Sequence, residues 1–422
     1  MSKTKPYDIP KQQVWEAYKR VKAARGSAGI DEQSMTDFEK DLKGNLYKIW
    51  NRMSSGSYVP PPVKRVSIEK KDGGQRHLGV PTISDRIAQM VVKMSLEPVL
   101  EPKFHEDSYG YRPKKSAHQA VEKCQWRCWW KDWVIDIDIK GFFDNIDHVF
   151  MMQMVKEHTT CPWIILYVER WLKAPVQLED GTQEARSKGT PQGGVISPLL
   201  ANLFLHQVFD EWMKEKFGNI RFERYADDII VHANSEEIAN YFKRRISERF
   251  RKFKLELHPE KTKVVYCRDS VRQESNWPCD QFDFLGFTFK RRTARNKEGE
   301  LFDGFLPAIS KSAKKKIHKQ IHDWRMHRQY NTSSLEEVAK AINPVVRGWF
   351  LYYGKFYKTE MGSIYWQLQK YLTRWAAKKH KGFKRRPAQA YKWILEHAYD
   401  RPELFAHWAF RRQKMVETRR AV

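Results

Sequence analysis

Two short runs place carboxylates where they could hold metal ions. Asp136 and Asp138 lie two apart in the stretch Trp133 to Ile139, so both project from one face of a strand, between the apolar Ile135, Ile137 and Ile139. Asp227 and Asp228 close the run Tyr225-Ala226-Asp227-Asp228, which is flanked by Phe222 to Arg224 and Ile229 to Val231, the pattern of two strands around a tight turn. Charge on so apolar a strand is costly without a compensating cation, and adjacent acids in one turn repel unless an ion bridges them. Acids in this arrangement suit phosphoryl transfer with two Mg²⁺ held about 3.5–4 Å apart, one at an attacking hydroxyl and one at a triphosphate. An Asp pair alone would read as a solvated turn; the strands on either side and the Asp138 strand favour the metal site.

The elements that must position these acids follow from periodicity. Residues 12–53 read as mainly helical, with Val14, Ala17, Tyr18 and Val21 on one face and a break at Arg25 to Gly29. After Pro60-Pro61-Pro62, the alternation Val66 to Glu69, the turn Asp72-Gly73-Gly74 and the return Arg76 to Val80 predict a hairpin. Helical spacing resumes over Ile87 to Leu100, 149–174 and Pro198 to Lys216. Asn240 to Phe253 predicts an amphipathic helix, Lys263 to Cys267 a strand and 282–289 a hairpin element, with a helical pattern beyond 310. This order predicts an α+β palm with long helical insertions, followed by an all-helical basic module.

Charge is unevenly placed. The 422 residues carry a net +26. Residues 290–422 hold 31 Lys and Arg against 11 Asp and Glu, a net of +20, and the rest of the chain holds the remaining +6. A body near balance with so basic a C-terminal third points to a polyanionic partner. The five cysteines include no C-x-x-C pair, which supports neither a disulfide framework nor a zinc module. The polar N-terminus and the lack of a run of about 18 apolar residues predict no signal peptide, no membrane span and a cytoplasmic protein.

Tyr225-Ala226-Asp227-Asp228 resembles the Y-x-D-D box of reverse transcriptases, and Asp138-Ile139-Lys140-Gly141-Phe142-Phe143-Asp144 resembles the motif that carries the first catalytic Asp in group II intron reverse transcriptases. The resemblance implies that Asp138 and Asp227 are the main metal ligands, with Asp228 the third acid, Ile139 offering its backbone carbonyl and Asp136 in support. The cofactor it implies is a pair of Mg²⁺ ions, for which Mn²⁺ can substitute. Phe143 falls at the bulky gate that excludes a ribonucleotide 2′-hydroxyl. Ile68 to Gly79 resembles the fingers hairpin of the family and implies Lys70 and Arg76 as triphosphate contacts. Arg86, and Arg112 in Ser108 to Pro113, match further blocks with a template or structural role. Gly189 to Pro198 resembles the Q-G block, which places Gln192 near the template or incoming nucleotide. His258 to Lys263 and Phe284 to Phe287 match later palm motifs, with Lys261 near the primer or metal and Leu285 and Gly286 as primer grip.

Downstream, Arg347 to Tyr353 resembles the maturase domain of group II intron proteins. The RNA contacts expected there are Lys314, Lys315, Lys316, Arg347, Lys384, Arg385 and Arg386, with the faces of Trp349, Tyr352 and Tyr353 open either to base stacking or to helix packing. The expected division is 1–60 N-terminal helical extension, 61–290 right-hand polymerase fingers and palm, 291–380 thumb and maturase domain, and 381–422 basic tail, a DNA-binding remnant. With no cysteine after Cys279, the paired ligands of a zinc-bearing H-N-H nuclease are not expected. The implied protein is a group II intron reverse transcriptase and maturase. Its partners would be an intron RNA or other RNA template, a DNA primer or target and dNTPs, with a homodimer left open. A host-domesticated enzyme of the same type, serving defence or repair, is a second reading. A splicing-only RNA-binding maturase with inactive chemistry is a third.

Overall fold

A computed structural model of the chain describes residues 5–69, 75–273, 277–296 and 298–410. The chain divides into two compact units, Met1–Ala120 with Ile135–Lys263, and Val121–Val134 with Val264–Val422.

The first unit opens with helices Lys11–Ala23, Met35–Lys40 and Leu42–Ser54. Val14, Ala17, Tyr18 and Val21 are buried, as their spacing requires. Ser34 and Asp41 accept hydrogen bonds from Asp37 N and Gly44 N, and so cap the second and third helices. The predicted hairpin is present as β1 (Val63–Glu69) and β2 (Gln75–Val80), antiparallel from Lys64↔Val80 to Glu69↔Gln75. Its predicted turn, and with it Lys70, lies outside the described residues.

The strand of the first acidic run is β3 (Trp133–Ile137), which ends just before Asp138; its Ile135 and Ile137 are buried while Asp136 is half-exposed. Two short strands, β4 (Val176–Gln177) and β5 (Gln183–Glu184), extend the first hairpin into a sheet of order β2-β1-β4-β5. The Asp-Asp hairpin consists of β6 (Phe222–Tyr225) and β7 (Asp228–Ala233). With β8 (Lys263–Tyr266) these make a sheet of order β6-β7-β3-β8, so the two acidic runs sit on neighbouring strands.

Two long helical stretches are divided. Residues 149–174 form His148–His158 and Pro162–Lys173, because Pro162 suits the first turn of a new helix and not the interior of an old one. The 198–216 stretch is Ser197–Leu205 and Glu211–Phe217, joined by a π turn over His206–Asp210.

In the second unit the hairpin element expected over 282–289 is present and continues into a three-stranded sheet, whose last strand the expectation of an all-helical module missed. Strands β9 (Phe282–Phe284), β10 (Phe287–Arg295) and β11 (Leu301–Ile309) pair antiparallel in the order β11-β10-β9. The helical pattern begins at Lys311 with Lys311–Asp323, followed by Leu335–Tyr353, Gly362–Lys379 and Pro387–Asp400. Their core gathers Ile317, Ile342, Phe350, Leu368, Trp375 and Ile394, all under 5% exposed. The α+β class with a helical C-terminal region therefore holds, with a three-stranded sheet set in front of the helices. Among the described residues no helix is long and apolar enough to cross a membrane.

Candidate active site

The first acid is held by its backbone. Asp138 O accepts from His258 N at 2.8 Å, and Thr262 Oγ1 lies 3.3 Å from Asp138 N and 3.2 Å from Asp138 O, accepting from the one and donating to the other. Next along, Ile139 forms an antiparallel bridge with Leu257, and Lys140 N donates to Glu256 O. The His258 to Thr262 segment thus clamps the main chain at Asp138, while the half-exposed side chain projects from it. Lys261, in the same segment, is exposed.

Asp227 and Asp228 sit at the tip of the β6–β7 hairpin, where Tyr225 pairs with Asp228 and the loop is Ala226-Asp227. Ala226 has φ +56°, a conformation that an L side chain takes at a cost of about 1–3 kcal/mol. Such strain persists only where the surroundings over-determine it, and here they do. Arg224 is fully buried and its Nη1 donates to Ala226 O at 3.1 Å. The rest of its fork binds Asp210 through Nε and Nη2 at 2.8 and 2.6 Å, and Asn202 Oδ1 at 2.9 Å.

Asn202 in turn donates to Gly110 O at 2.7 Å. A Cβ on Gly110 would lie 2.4 Å from Ala226 N, so only glycine lets this segment lie against the turn. Burial alone would push the Asp210 carboxyl up, but the Arg224 guanidinium beside it holds it below its ordinary value. The π turn has a geometric purpose in this network. Eight residues of plain α-helix would leave Asp210 about 80° around the axis from Asn202. The wider turn absorbs a residue and brings both toward Arg224.

The Gln-Gly loop is tied to both neighbours. Gln192 O accepts from Gly79 N at 2.9 Å, which docks the loop on β2, and Gln192 Nε2 lies 3.3 Å from both Asp144 oxygens. Gly193 has φ +129°, and a Cβ there would meet Gly79 O at 2.7 Å. From below, Gln89 Oε1 accepts from Val195 N at 2.7 Å and Ile196 N at 3.3 Å, while its Nε2 donates to Asp85 at 2.9 Å. Asp85 also accepts from Trp171 Nε1 at 2.7 Å and Tyr58 OH at 2.9 Å. Burial pushes the Asp85 carboxyl up to about 6 against these hydrogen bonds, which lower it.

The remaining predicted residues fall as follows. Phe143 is 8% exposed and edge-on to Phe142, and its carbonyl accepts from Thr190 N in the Gln-Gly loop. The backbone of Arg76 pairs with Ile68 in the hairpin. Arg86 reaches back to Ser27 O, and Arg112 binds Glu101, His105 O and Ser108 O, so both tie the scaffold together.

In the second unit, Leu285 and Gly286 form a two-residue β9–β10 turn with φ +51° and +82°, the pattern of a I′ hairpin. Tyr352 OH donates to Leu285 O at 2.9 Å, and Ser310 N donates to Gly286 O at 2.9 Å. Lys314 is ion-paired with Glu360, whereas Lys315, Lys316, Arg347, Lys384, Arg385 and Arg386 are exposed. Trp349 stacks on Trp324 at 5.4 Å, and Tyr352 and Tyr353 pack on Phe287, so of the two roles open to these rings the packing one is observed.

Sequence reasoning missed Arg224, Asn202, Asp210, Gly110, Asp85 and Gln89. Only Arg224 carried a signal, as a cation inside an apolar strand, where an unpaired charge could not stay.

Two outcomes are expected. Arg224→Met strands the buried Asp210 charge and should cost about 3–5 kcal/mol in urea unfolding, while adding Asp210→Leu should recover most of it. A single-variant loss under about 1 kcal/mol would show that the pair does not hold the turn. The second outcome concerns pH. A carboxyl raised from 3.8 to about 6 on folding contributes stability that is complete below its unfolded value and lost as pH climbs through about 6. Between pH 4 and 7 the wild type should therefore lose roughly 2 kcal/mol relative to Asp85→Asn, which cannot titrate there. Parallel stability profiles would refute the assignment.

The family description "Reverse transcriptase (RNA-dependent DNA polymerase)" matches residues 68–289, and "Group II intron, maturase-specific domain" matches residues 314–394. The group II intron-encoded protein LtrA of Lactococcus lactis subsp. cremoris is 34% identical over 254 residues, covering 59% of this chain and 40% of that protein. Protein YkfC of Escherichia coli K12 is 34% identical over 206 residues, covering 47% of this chain and 53% of its own length. The retron Ec73 reverse transcriptase of Escherichia coli is 26% identical over 211 residues, covering 47% and 63%. The match thus spans about half the length of these relatives or somewhat more or less. The chain belongs to the reverse transcriptase family, in the form whose polymerase domain is followed by a group II intron maturase-specific domain.

Proposed function

We propose that the chain is an RNA-directed DNA polymerase that binds a structured RNA of the group II intron type, assists its splicing and copies it into DNA. The observation that supports this most is the set of half-exposed carboxylates, Asp138 directly after β3 and Asp227 and Asp228 at the tip of the β6–β7 hairpin that neighbours it in one sheet, with the main chain at each run clamped. The donor set is all oxygen and charged, as hard divalent cations prefer. Asp138, Asp227, Asp228 and the Ile139 carbonyl would hold two Mg²⁺ ions, which when bound activate a primer 3′-hydroxyl and screen the triphosphate.

The chain's own residues supply the rest. Lys70 and Arg76 would balance triphosphate charge from the hairpin. Gln192, set between Gly79 and Asp144, would read the nascent pair at its backbone-lined edge. Phe143 would close the sugar pocket against a 2′-hydroxyl, Lys261 would attract the primer phosphate, and the Leu285-Gly286 turn would support the primer strand. The exposed Lys315, Lys316, Arg347, Lys384, Arg385 and Arg386 would hold RNA phosphates in a cytoplasmic ribonucleoprotein.

Asp227→Asn should abolish extension of a DNA primer on an RNA template, by about 10³-fold or more, while RNA binding and splicing assistance persist. Near-normal synthesis by this variant would overturn the metal assignment. Phe143→Ala should raise ribonucleotide over deoxynucleotide incorporation by about tenfold or more in single-turnover assays. Unchanged selectivity would assign the ring to packing alone.

A further inference from the structure

The helix Ala117–Trp130 carries an exposed aromatic face that neither the catalytic site nor the core uses. Trp126, Trp129 and Trp130, spaced i, i+3 and i+4, are 50%, 46% and 70% exposed, while Cys124, Arg127 and Cys128 on the other face are buried. Three indoles on one helical face leave a large apolar area in water, and such a contiguous patch marks an interaction site.

The chemistry of the face narrows the occupant. Its other exposed residues are Gln119, Glu122 and Lys123, and no aliphatic side chain is exposed on it, as a groove for an amphipathic partner helix would require. Lys123 Nζ lies 5.1 Å from the Trp126 ring centroid, and the acid Glu122 is paired with Lys355 at 3.5 Å. Residues 121–134 and 264–422, which form the second unit, hold 36 Lys and Arg against 17 Asp and Glu, a net of +19. A partner that meets flat indoles inside so positive a unit is a polyanion with free π faces. Paired RNA keeps its bases stacked inside the helix, whereas unpaired nucleotides present theirs.

We propose that Trp126, Trp129 and Trp130 form a stacking platform for unpaired nucleotides of a bound RNA or DNA strand, with Lys123 contacting its phosphates. This rests on the nucleic-acid reading of the chain but not on its polymerase chemistry. The platform lets the chain favour RNA with a single-stranded stretch over a fully paired one.

The full-length protein is titrated with a blunt RNA hairpin and with the same hairpin bearing about a dozen unpaired uridines, a tail within the usual site size for stacking proteins. Wild type should bind the tailed probe more tightly and show tryptophan quenching with it alone. The triple variant Trp126→Leu, Trp129→Leu, Trp130→Leu should lose tenfold or more of its affinity for the tailed probe and none for the blunt one. The matching triple Phe variant should keep most of the preference. Trp130→Leu, at the most exposed position, carries the same test if circular dichroism shows the triple Leu variant unfolded.

Equal tailed-probe binding by the Leu variant overturns the platform. So does sedimentation that shows a wild-type dimer which the Leu variant abolishes, since the face would then join two copies. Primer extension by wild type is followed in parallel. Its absence alongside tail-dependent binding defeats the polymerase reading and leaves the platform standing.

Discussion

Everything at the candidate site depends on one constraint: several negative charges must be held close together beside an apolar sheet. The fold fixes the main chain at each acidic run. Arg224 is the clearest case. It is a buried cation a few residues from the Asp pair, yet its charge is taken by Asp210, and what it gives the turn is a hydrogen bond to a backbone carbonyl. Thr262 and His258 do the same for Asp138 from the other side of β3.

The same economy governs the Gln-Gly loop. At Gly193, where a Cβ would meet Gly79 O, the loop has no room for a side chain, and it is braced from behind. Gln89 is the strut: its carbonyl oxygen takes two loop amides, and its amide group is oriented by Asp85. Asp85 is itself held by Trp171 and Tyr58, so a chain of buried polar groups runs from the helices to the loop. Every member must be satisfied, because a buried polar group left unpaired costs as much as the network yields.

These supports explain what the sequence could and could not tell. The acids, the hairpins and the Gln-Gly loop were legible because their chemistry is local: Asp138 alternates with isoleucines, and Tyr225 to Asp228 spells its own turn. The supports are not local. Arg224 meets Asp210 across a π turn, and no hydrophobic period announces where a helix will widen. The helix Ala117–Trp130 was not anticipated, because tryptophans on its outer face blur the contrast between buried and solvent sides on which periodicity depends. Strand β11 was missed because Gly304 and Pro307 look like breakers, yet each is tolerated where one flank of the strand is open at the sheet edge.

The aromatic residues of the second unit show why residue type alone misleads. Trp349, Tyr352 and Tyr353 stand in a basic segment and invite a base-stacking role, yet they are fixed by Trp324, Phe287 and the Leu285 carbonyl. Fixing them serves the adjacent turn, because Leu285 sits at φ +51° and that strain needs a partner on its carbonyl. Trp126, Trp129 and Trp130 have no comparable duty, and the helix holds its place through the opposite face. A helix buried through Cys124, Arg127 and Cys128 would be more soluble with polar residues outward. That three indoles stand there instead calls for a ligand able to cover them, and in a unit of net +19 a single strand of nucleic acid has both the charge and the flat faces to do so.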